Sequence, residues 1–182
     1  MPERSSMLAP AHILSYGSLL GFQSYQTFVS GIIAFRTLPR PQFSTLQSSI
    51  FPVYFGLQTA VPLVLALTYP GEKVAGRFGT SGLSGVFSES NRWNTLVPIM
   101  TTFLSGITNL LVIQPATAKV MRQRKEQESI DGKKYTDAGP HSKEMMKLNK
   151  SFGKLHQLSA VVNLAALAAT IYYGVVLAER VN

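Results

Sequence analysis

Cysteine is absent from this chain of 182 residues, so disulfides, thiol catalysis and thiolate metal sites are all excluded. The three histidines, His12, His141 and His156, lie far apart in the sequence. The chain also has no HExxH motif, no paired carboxylates inside an apolar run and no Ser/His/Asp pattern at a usable spacing. These absences predict a protein that is not an enzyme and that binds no metal ion or cofactor.

Charge is missing from four long runs, although the chain holds 17 Lys and Arg and 9 Asp and Glu. A surface helix of a soluble protein needs charge every few residues, whereas a bilayer-spanning helix needs about 20 residues with almost none. The composition therefore predicts a single-domain, all-α integral membrane protein, an antiparallel bundle of four helices. The uncharged runs are Ser5–Phe35, Pro41–Gly71, Trp93–Ala118 and Leu155–Ala178, and the predicted spans are about 13–35, 50–69, 95–114 and 156–178.

Three segments connect the predicted spans. Phe35–Phe55 contains Pro39, Pro41 and a Ser/Thr/Gln cluster, which predicts a tight polar hinge between the first two helices. The Gly-rich segment 70–94 lacks the GK[ST] ending of a phosphate loop and is typical of a flexible exposed linker. The basic segment 115–155 is expected to form either a short cytosolic helical hairpin or a solvated charged loop, and the residues alone do not decide between them.

Basic residues are concentrated in the 36–49 and 115–154 connections, which lie on the same side of the membrane if the helices alternate in direction. The positive-inside rule then places these connections in the cytosol and both termini on the non-cytosolic side. The formal charge of +8 is expected to reflect this orientation and contact with anionic lipid headgroups, with no nucleic-acid partner. An endomembrane of the secretory pathway, starting at the endoplasmic reticulum, is favoured, with the outer mitochondrial membrane as the alternative.

The first predicted span carries a GxxxG sequence, Gly17 to Gly21, and a further small residue at Gly31. Small residues at this spacing let two helix backbones approach closely. Packing within the bundle is the more common use of such a seam. A homodimer or another protein partner bound through Gly17 and Gly21 is the alternative.

Polar side chains inside the spans are predicted to meet in one intramembrane layer below the basic loops. Counting 1.5 Å per residue from the basic end of each helix places them at ~9–12 Å depth. Polar groups in lipid need partners whether or not they act, so the layer is either interhelical hydrogen-bonding glue or a small polar cavity open to the cytosol. Its predicted members are Gln26 or Ser30, Gln58, Asn109 and Asn163.

Basic residues at the ends of the spans are candidates for contact with lipid headgroups or phosphate. The alternative is that they are flanking residues that fix the depth of each helix. The candidate set is Arg36, Arg40, Lys119, Arg122, Lys154 and His156.

Short blocks of residues, distributed from about Tyr16 to Gly174, carry a resemblance to a known family. In chain order they are Thr27–Gly31, Phe35-Arg36, Leu38-Pro39-Arg40, Phe43, Gln47, Phe51-Pro52, Tyr54-Phe55, Asn109, Pro115, Thr117, Met121, Phe152, His156, Leu158-Ser159 and Asn163-Leu164. Through them the chain resembles the transmembrane protein 205-like family. That resemblance implies a four-helix membrane domain of unknown function, loosely associated with drug tolerance and vesicular traffic, and it supplies no catalytic residues.

Two functions follow as hypotheses. No Asp, Glu, Lys or Arg lies within a predicted span, which argues against an ion-driven transporter because such proteins usually keep a charged residue in mid-membrane. The first hypothesis is a non-enzymatic membrane module that handles lipids or small amphiphiles or supports their export. The alternative is a structural or assembly subunit of a membrane protein complex.

Overall fold

The computed structural model describes residues 2–71, 73–74 and 77–179. Helix α1 covers residues 2–37 and includes one π-helical turn, Gln26–Ser30. The later elements are α2 (Arg40–Leu67), a two-residue antiparallel ladder of β1 (Lys73–Val74) and β2 (Arg77–Phe78), α3 (Gly82–Val86), α4 (Glu89–Asp131) and α5 (Lys143–Glu179). Helix α4 begins with a short 3-10 turn and contains two π-helical turns, Arg92–Leu96 and Asn109–Ile113.

Three helices of the described residues are long and apolar enough to cross a membrane, namely α2, α4 and α5. The first predicted span, 13–35 in α1, is not among them. Two glutamines, Gln23 and Gln26, and several serines interrupt its apolar run and lower its mean hydropathy. The structure therefore supports a membrane protein with three candidate spans.

Neighbouring long helices run in opposite directions. His12 near the start of α1 contacts Thr68, just beyond the end of α2, and Phe35 near the end of α1 packs on Phe43 in the first turn of α2. Thr102 of α4 in turn lies against Thr170 of α5. We call the end that carries Arg36, Lys119 and Lys154 the basic end, and the opposite end the far end.

The connection between the first two helices is tight, as predicted, but it is much shorter than Phe35–Phe55, because only Leu38 and Pro39 separate α1 from α2. Helix α2 begins at Arg40, ten residues before the predicted Ile50. Pro41 lies in its first turn, where a missing backbone N–H costs little. The Ser and Thr side chains do not form turns; for example, the hydroxyl of Thr45 donates to the carbonyl of Pro41 at 3.1 Å, within the helix.

The segment predicted as a flexible exposed linker, 70–94, is mostly exposed among its described residues but contains α3 and the start of α4. The backbone N–H of Gly82 donates to the carbonyl of Tyr69 at 2.7 Å, and the side-chain amide of Asn91 donates to the carbonyl of Gly85 at 2.9 Å. Val86 of α3 is fully buried. Gly76, also part of that predicted linker, lies outside the described residues. The segment is folded back onto the far end of α2.

The basic connection forms a helical hairpin, so the structure decides between the two alternatives for 115–155. Helix α4 continues to Asp131, where Gly132 ends it in a left-handed conformation with φ 62°. Helix α5 starts at Lys143, and the two arms pack against each other. The hairpin therefore extends α4 and α5 beyond their apolar stretches.

The main apolar core lies at the far end of the helices. It combines side chains of α1, α2, α4 and α5 with Val86 of α3, and its buried members are Leu19, Leu65, Ala66, Tyr69, Val86, Ile99, Tyr173 and Leu177. Towards the basic end this core gives way to polar side chains.

Candidate functional site

A hydrogen-bonded set of three side chains joins α1, α2 and α5 in the middle of the protein. The hydroxyl of Tyr54 donates to Oδ1 of Asn163 at 2.6 Å, and Nδ2 of Asn163 donates to Oγ1 of Thr27 at 3.2 Å. Asn163 was predicted as a member of the polar layer, and it has both of its polar atoms paired here. Its two partners were not predicted.

Three other amide side chains are fully buried and have no hydrogen-bond partner among the residues that the structure describes. They are Gln23 of α1, Gln58 of α2 and Asn109 of α4, each 0% exposed. All six of their side-chain nitrogen and oxygen atoms lack a partner. Buried polar side chains are paired in the large majority of cases, so three unpaired amides require an explanation. We call these three residues the amide layer.

Gln23 and Gln58 lie at one level of the bundle. Gln23 is four residues before Thr27, and Gln58 is four residues after Tyr54. Because α1 and α2 run in opposite directions, both amides are displaced towards the far end, by one helical turn of about 6 Å. Thr27 and Tyr54 are joined through Asn163, so the two glutamines belong to the same depth.

Asn109 lies within one turn of that level on α4. A side chain at Gly106 would meet the backbone carbonyl carbon of Gln58 at 2.8 Å, so α4 passes very close to α2 at this point. Asn109 follows three residues later on the same face of the helix, one turn nearer to the basic end. The amide layer is therefore about one helical turn thick.

Two π-helical turns begin beside the amide layer. The turn Gln26–Ser30 begins three residues after Gln23, and the turn Asn109–Ile113 begins at Asn109 itself. A π turn is rare, widens the helix locally and is often found at functional sites. Both α1 and α4 thus depart from regular geometry where their unpaired amides lie.

The remaining predicted members of the layer lie nearer the basic end. Nε2 of Gln26 donates to Oε1 of Gln47 at 3.4 Å, and Gln47 is almost completely buried. Ser30 is half-buried at the end of its π turn. These polar residues lie between the amide layer and the basic end, whereas the apolar core closes the layer on the far side.

Gln58 and Asn109 were predicted members of the polar layer and are fully buried, whereas Gln23, Gln47 and Thr27 were not predicted. All three missed residues lie in uncharged runs and carry the same signal, a polar side chain in apolar surroundings. The sequence prediction counted residues from the basic end of each helix, and on α1 this count gave Gln26 and Ser30 in place of Gln23. Burial of Gln23 depends on the rotation of α1, which that count does not contain.

The six residues predicted to contact headgroups are all exposed at the basic end. The guanidinium of Arg40 lies 3.6 Å from the centre of the Phe35 ring, and His156 stacks on Phe152 at 6.0 Å. The other four are Arg36, Lys119, Arg122 and Lys154. The structure places them on the same end of the molecule without joining them into one pocket.

One buried cation in the hairpin was not predicted. Arg124 is 5% exposed, and its guanidinium lies 3.7 Å from the ring centre of Tyr135 and 4.7 Å from that of Phe152. Burial lowers the pKa of Arg124, and the nearby Tyr135 and Glu128 oppose that change. This residue connects both arms of the hairpin to its tip.

Gly17 and Gly21 do not pack against other parts of the chain that the structure describes. A side chain at either position would meet nothing within 4 Å, so the more common use expected for the GxxxG seam is wrong. The two glycines are exposed, because this face of α1 points away from the other helices. Gly31, in contrast, lies 3.4 Å from the carbonyl of Gln26 and close to Gln47, measured from the position of an added side chain.

The amide layer can donate and accept hydrogen bonds but cannot neutralise a charge. No group of three or more His, Cys, Asp or Glu that could hold a metal ion occurs among the residues that the structure describes. The amides of the layer are therefore suited to hydrogen bonding with a neutral polar group.

Comparison with known proteins identifies the family. Residues 14–126 match the domain of unknown function DUF4149. The chain belongs to the DUF4149 family. It is also 30% identical over 177 residues to the xanthocillin biosynthesis cluster protein D of Aspergillus fumigatus, covering 97% of this chain and 93% of that protein. No solved structure matches the chain.

The DUF4149 match contains all three residues of the amide layer and extends along α4 to Glu126. Neither the family nor the relative carries the name of the transmembrane protein 205-like family, so that resemblance stays a prediction. The match with the Aspergillus protein covers nearly the whole chain, including α5 and Asn163.

Proposed function

We propose that this protein is a multi-pass membrane module with four antiparallel spans that handles lipids or small amphiphiles, or supports their export, without enzymatic activity. In this proposal α1 also crosses the membrane, in addition to α2, α4 and α5, and completes the bundle around the amide layer. The observation that carries the proposal is the set of three fully buried amides, Gln23, Gln58 and Asn109, whose six polar atoms have no partner.

These unpaired atoms carry a free-energy cost. A buried donor or acceptor without a partner costs about 1–3 kcal/mol, and the hydrocarbon core of a bilayer offers no water to repay that cost. A neutral hydroxyl, ester or amide group of a bound amphiphile would satisfy the three side chains. A charged group would stay uncompensated, since no Asp, Glu, Lys or Arg lies at that level.

Access is proposed from the basic end. The apolar core around Leu19, Leu65 and Ile99 closes the far side of the layer, whereas Gln26 and Gln47 extend polar surface in the other direction. The exposed cations of that end, Arg36 and Arg40 foremost, would hold anionic lipid headgroups there. The positive-inside rule places this end in the cytosol and both termini on the opposite side, in a secretory endomembrane or, alternatively, the outer mitochondrial membrane.

The similarity to a protein named for a biosynthesis cluster supports a role next to small-molecule metabolism. A membrane module that accommodates small amphiphiles would serve such a cluster by holding or passing on a product of low water solubility.

The test is mass spectrometry of the protein extracted gently from its native membrane, so that bound lipids and proteins are retained. We expect a neutral amphiphile bound to the unmodified protein to be lost in Gln58→Leu and Asn109→Leu. Thr170→Val is the matched control, since Thr170 is also buried and polar but lies towards the far end, bonded to Ala166. An identical set of bound molecules in all variants would contradict the proposed site.

A second comparison separates headgroup binding from the amide layer. Arg36→Ala and Arg40→Ala are expected to reduce association of anionic lipids while leaving a neutral occupant of the layer in place. An unchanged lipid profile in both variants would remove the proposed headgroup contacts.

The proposed orientation has its own check, because Asn149-Lys150-Ser151 is a glycosylation sequon on the basic side. A glycan on Asn149 would show that this side is not cytosolic.

The alternative function, a structural subunit, is favoured by one observation. Gly17 and Gly21 are exposed, and a side chain added at either position would meet no described atom of the chain within 4 Å. In this case we propose that α1 of a second copy of the protein packs on the Gly17/Gly21 seam, since GxxxG motifs allow two membrane helices to approach closely. Gly17→Leu should then convert a dimer into a monomer in detergent, measured by sedimentation. Gly56→Leu is the control, because Gly56 on α2 also meets nothing within 4 Å.

A further inference from the structure

Residues 82–93, which comprise α3 and the start of α4, present three large apolar side chains at the surface. Leu83 is 47% exposed, Phe87 is 64% exposed and Trp93 is 71% exposed. A single exposed apolar residue needs no explanation, but three in one short segment form a patch that marks contact with something apolar.

This patch is presented by a fixed structure. The segment is tied to the end of α2 by the hydrogen bond from Gly82 to Tyr69 and is anchored in the core by Val86, which is 1% exposed. Asn91 closes it by donating to the carbonyl of Gly85. The three apolar side chains are therefore held outward while the opposite side of the segment is buried.

The segment also lies at the depth where the candidate spans end. Helix α2 stops at Leu67, two residues before Tyr69, to which Gly82 is bonded. The hydroxyl of Tyr172 on α5 donates to Oδ1 of Asn94, next to Trp93, at 2.8 Å. A charged pair, Arg92 and Glu89, occurs on the same segment with 3.3 Å between its atoms. Aromatic residues beside charged ones at the end of a span are typical of the bilayer interface.

We propose that residues 82–93 lie in the lipid interface of the far side, with Leu83, Phe87 and Trp93 inserted at the boundary between headgroups and acyl chains. The occupant is lipid rather than a protein because the candidate spans also expose apolar side chains towards this end, at Leu67 of α2 and Val175 of α5. The segment would fix the depth of the far end in the membrane. This proposal is independent of the amide layer and of any bound amphiphile.

Trp93 is the only tryptophan in the chain, so the fluorescence of the unmodified protein reports this segment directly. The protein is reconstituted in phosphatidylcholine vesicles that contain lipid brominated either near the headgroup or deep in the acyl chain, with iodide present on both sides in a parallel sample. We expect shallow bromine to quench the larger part of the emission, deep bromine to quench less, and iodide to quench little.

Moving the probe tests the rest of the segment. Trp93→Phe combined with Phe87→Trp, or with Leu83→Trp, should give the same quenching pattern as the unmodified protein. Trp93→Phe combined with Thr136→Trp is the aqueous control, since Thr136 is exposed in the tip of the hairpin and should be quenched by iodide alone. A Phe87 probe that behaves like the Thr136 probe would overturn the proposal. A Phe87 probe protected from both bromine and iodide would also overturn it, because a protein would then cover the patch.

Discussion

The hydroxyl of Tyr54 donates a 2.6 Å hydrogen bond to Oδ1 of Asn163, which joins α2 to α5 in the middle of the protein. The amide of Asn163 in turn donates to Thr27, so that one side chain links three helices. Next to this satisfied set lie Gln23, Gln58 and Asn109, which are fully buried and unsatisfied, whereas Thr27 and Asn163 are half-buried. The two sets therefore differ in their hydrogen bonding, and the proposed binding site rests on the second set alone.

Tyr54→Phe tests the glue. The substitution removes one interhelical hydrogen bond and leaves Oδ1 of the half-buried Asn163 without that donor, so the free energy of unfolding should fall by ~0.6–2 kcal/mol. Unfolding by a denaturing detergent, followed by circular dichroism, measures the change. Tyr172→Phe is the control, because its bond to Asn94 is exposed and should matter less. Equal stability of the two variants would contradict a structural role for the Tyr54 bond.

The close approach of α2 and α4 beside the amide layer predicts the effect of Gly106→Ala. The added methyl group would lie 2.8 Å from the carbonyl carbon of Gln58 and 2.8 Å from Oγ1 of Thr59, so the helices must separate. Overpacking of this kind costs about 1–3 kcal/mol, measured in the same unfolding experiment. At Gly56, where nothing lies within 4 Å, alanine should instead be neutral or stabilise by up to ~1 kcal/mol. Similar effects at both glycines would exclude close packing as the reason.

Much of the fold could be predicted from the sequence because a bilayer constrains composition strongly. Charge is excluded from long runs, and helix is the structure that satisfies every backbone group of a single segment there. The start of α2 was mispredicted because Pro39, Pro41 and the nearby serines are turn signals in general. They are equally compatible with a helix start, where Pro41 has no N–H to lose and Thr45 bonds back to the helix.

The site could be predicted only in part for a different reason. Gln58 and Asn109 were identifiable as polar residues in apolar runs, and both proved fully buried. Which polar residues face each other depends on how each helix is rotated and on which helices are neighbours. The hydrophobic period of a helix and the depth of a residue along it do not determine the rotation or the neighbours of that helix. The pairing of Asn163 with Tyr54 and the burial of Gln23 could therefore be seen only in the structure.

The buried guanidinium of Arg124 predicts how the tip of the hairpin opens. Stacking between Tyr135 and Phe152 is worth about 1–2 kcal/mol for a desolvated cation, and lysine lacks the flat group that stacks. Arg124→Lys should therefore raise the open population of the tip roughly tenfold, since 1.4 kcal/mol is a tenfold change. Trypsin cleavage after Lys133 and Lys134 measures that opening.

The control for the tip is Arg122→Lys, which also keeps the charge but changes an exposed residue without a stacking partner in the described contacts. It should leave the cleavage rate after Lys133 unchanged. Equal cleavage of the two variants would mean that Arg124 does not hold the tip closed.

The start of α5 makes a prediction about pH. A hydrogen bond from Ser142 at 2.7 Å, and a second from Gln127, hold the pKa of Asp131 below its ordinary value of 3.8. Ser142 also accepts from the backbone N–H of Met145 at 3.1 Å and so caps α5. Since the native pKa is lowered, the stabilisation is complete above the ordinary value and is lost as the pH falls through the native value.

Ser142→Ala should therefore raise the pKa of Asp131 towards 3.8, because the partner that favours its ionised form is removed. Carboxyl chemical shifts followed by NMR over an acid titration measure this pKa directly. Ser129→Ala is the matched control, since the hydroxyl of Ser129 bonds to Lys125 and not to the carboxylate. If Asp131 titrated at the same pH in all three proteins, its link to Ser142 would not exist in solution, and the hairpin would owe its closure to Arg124 and its two aromatic neighbours instead.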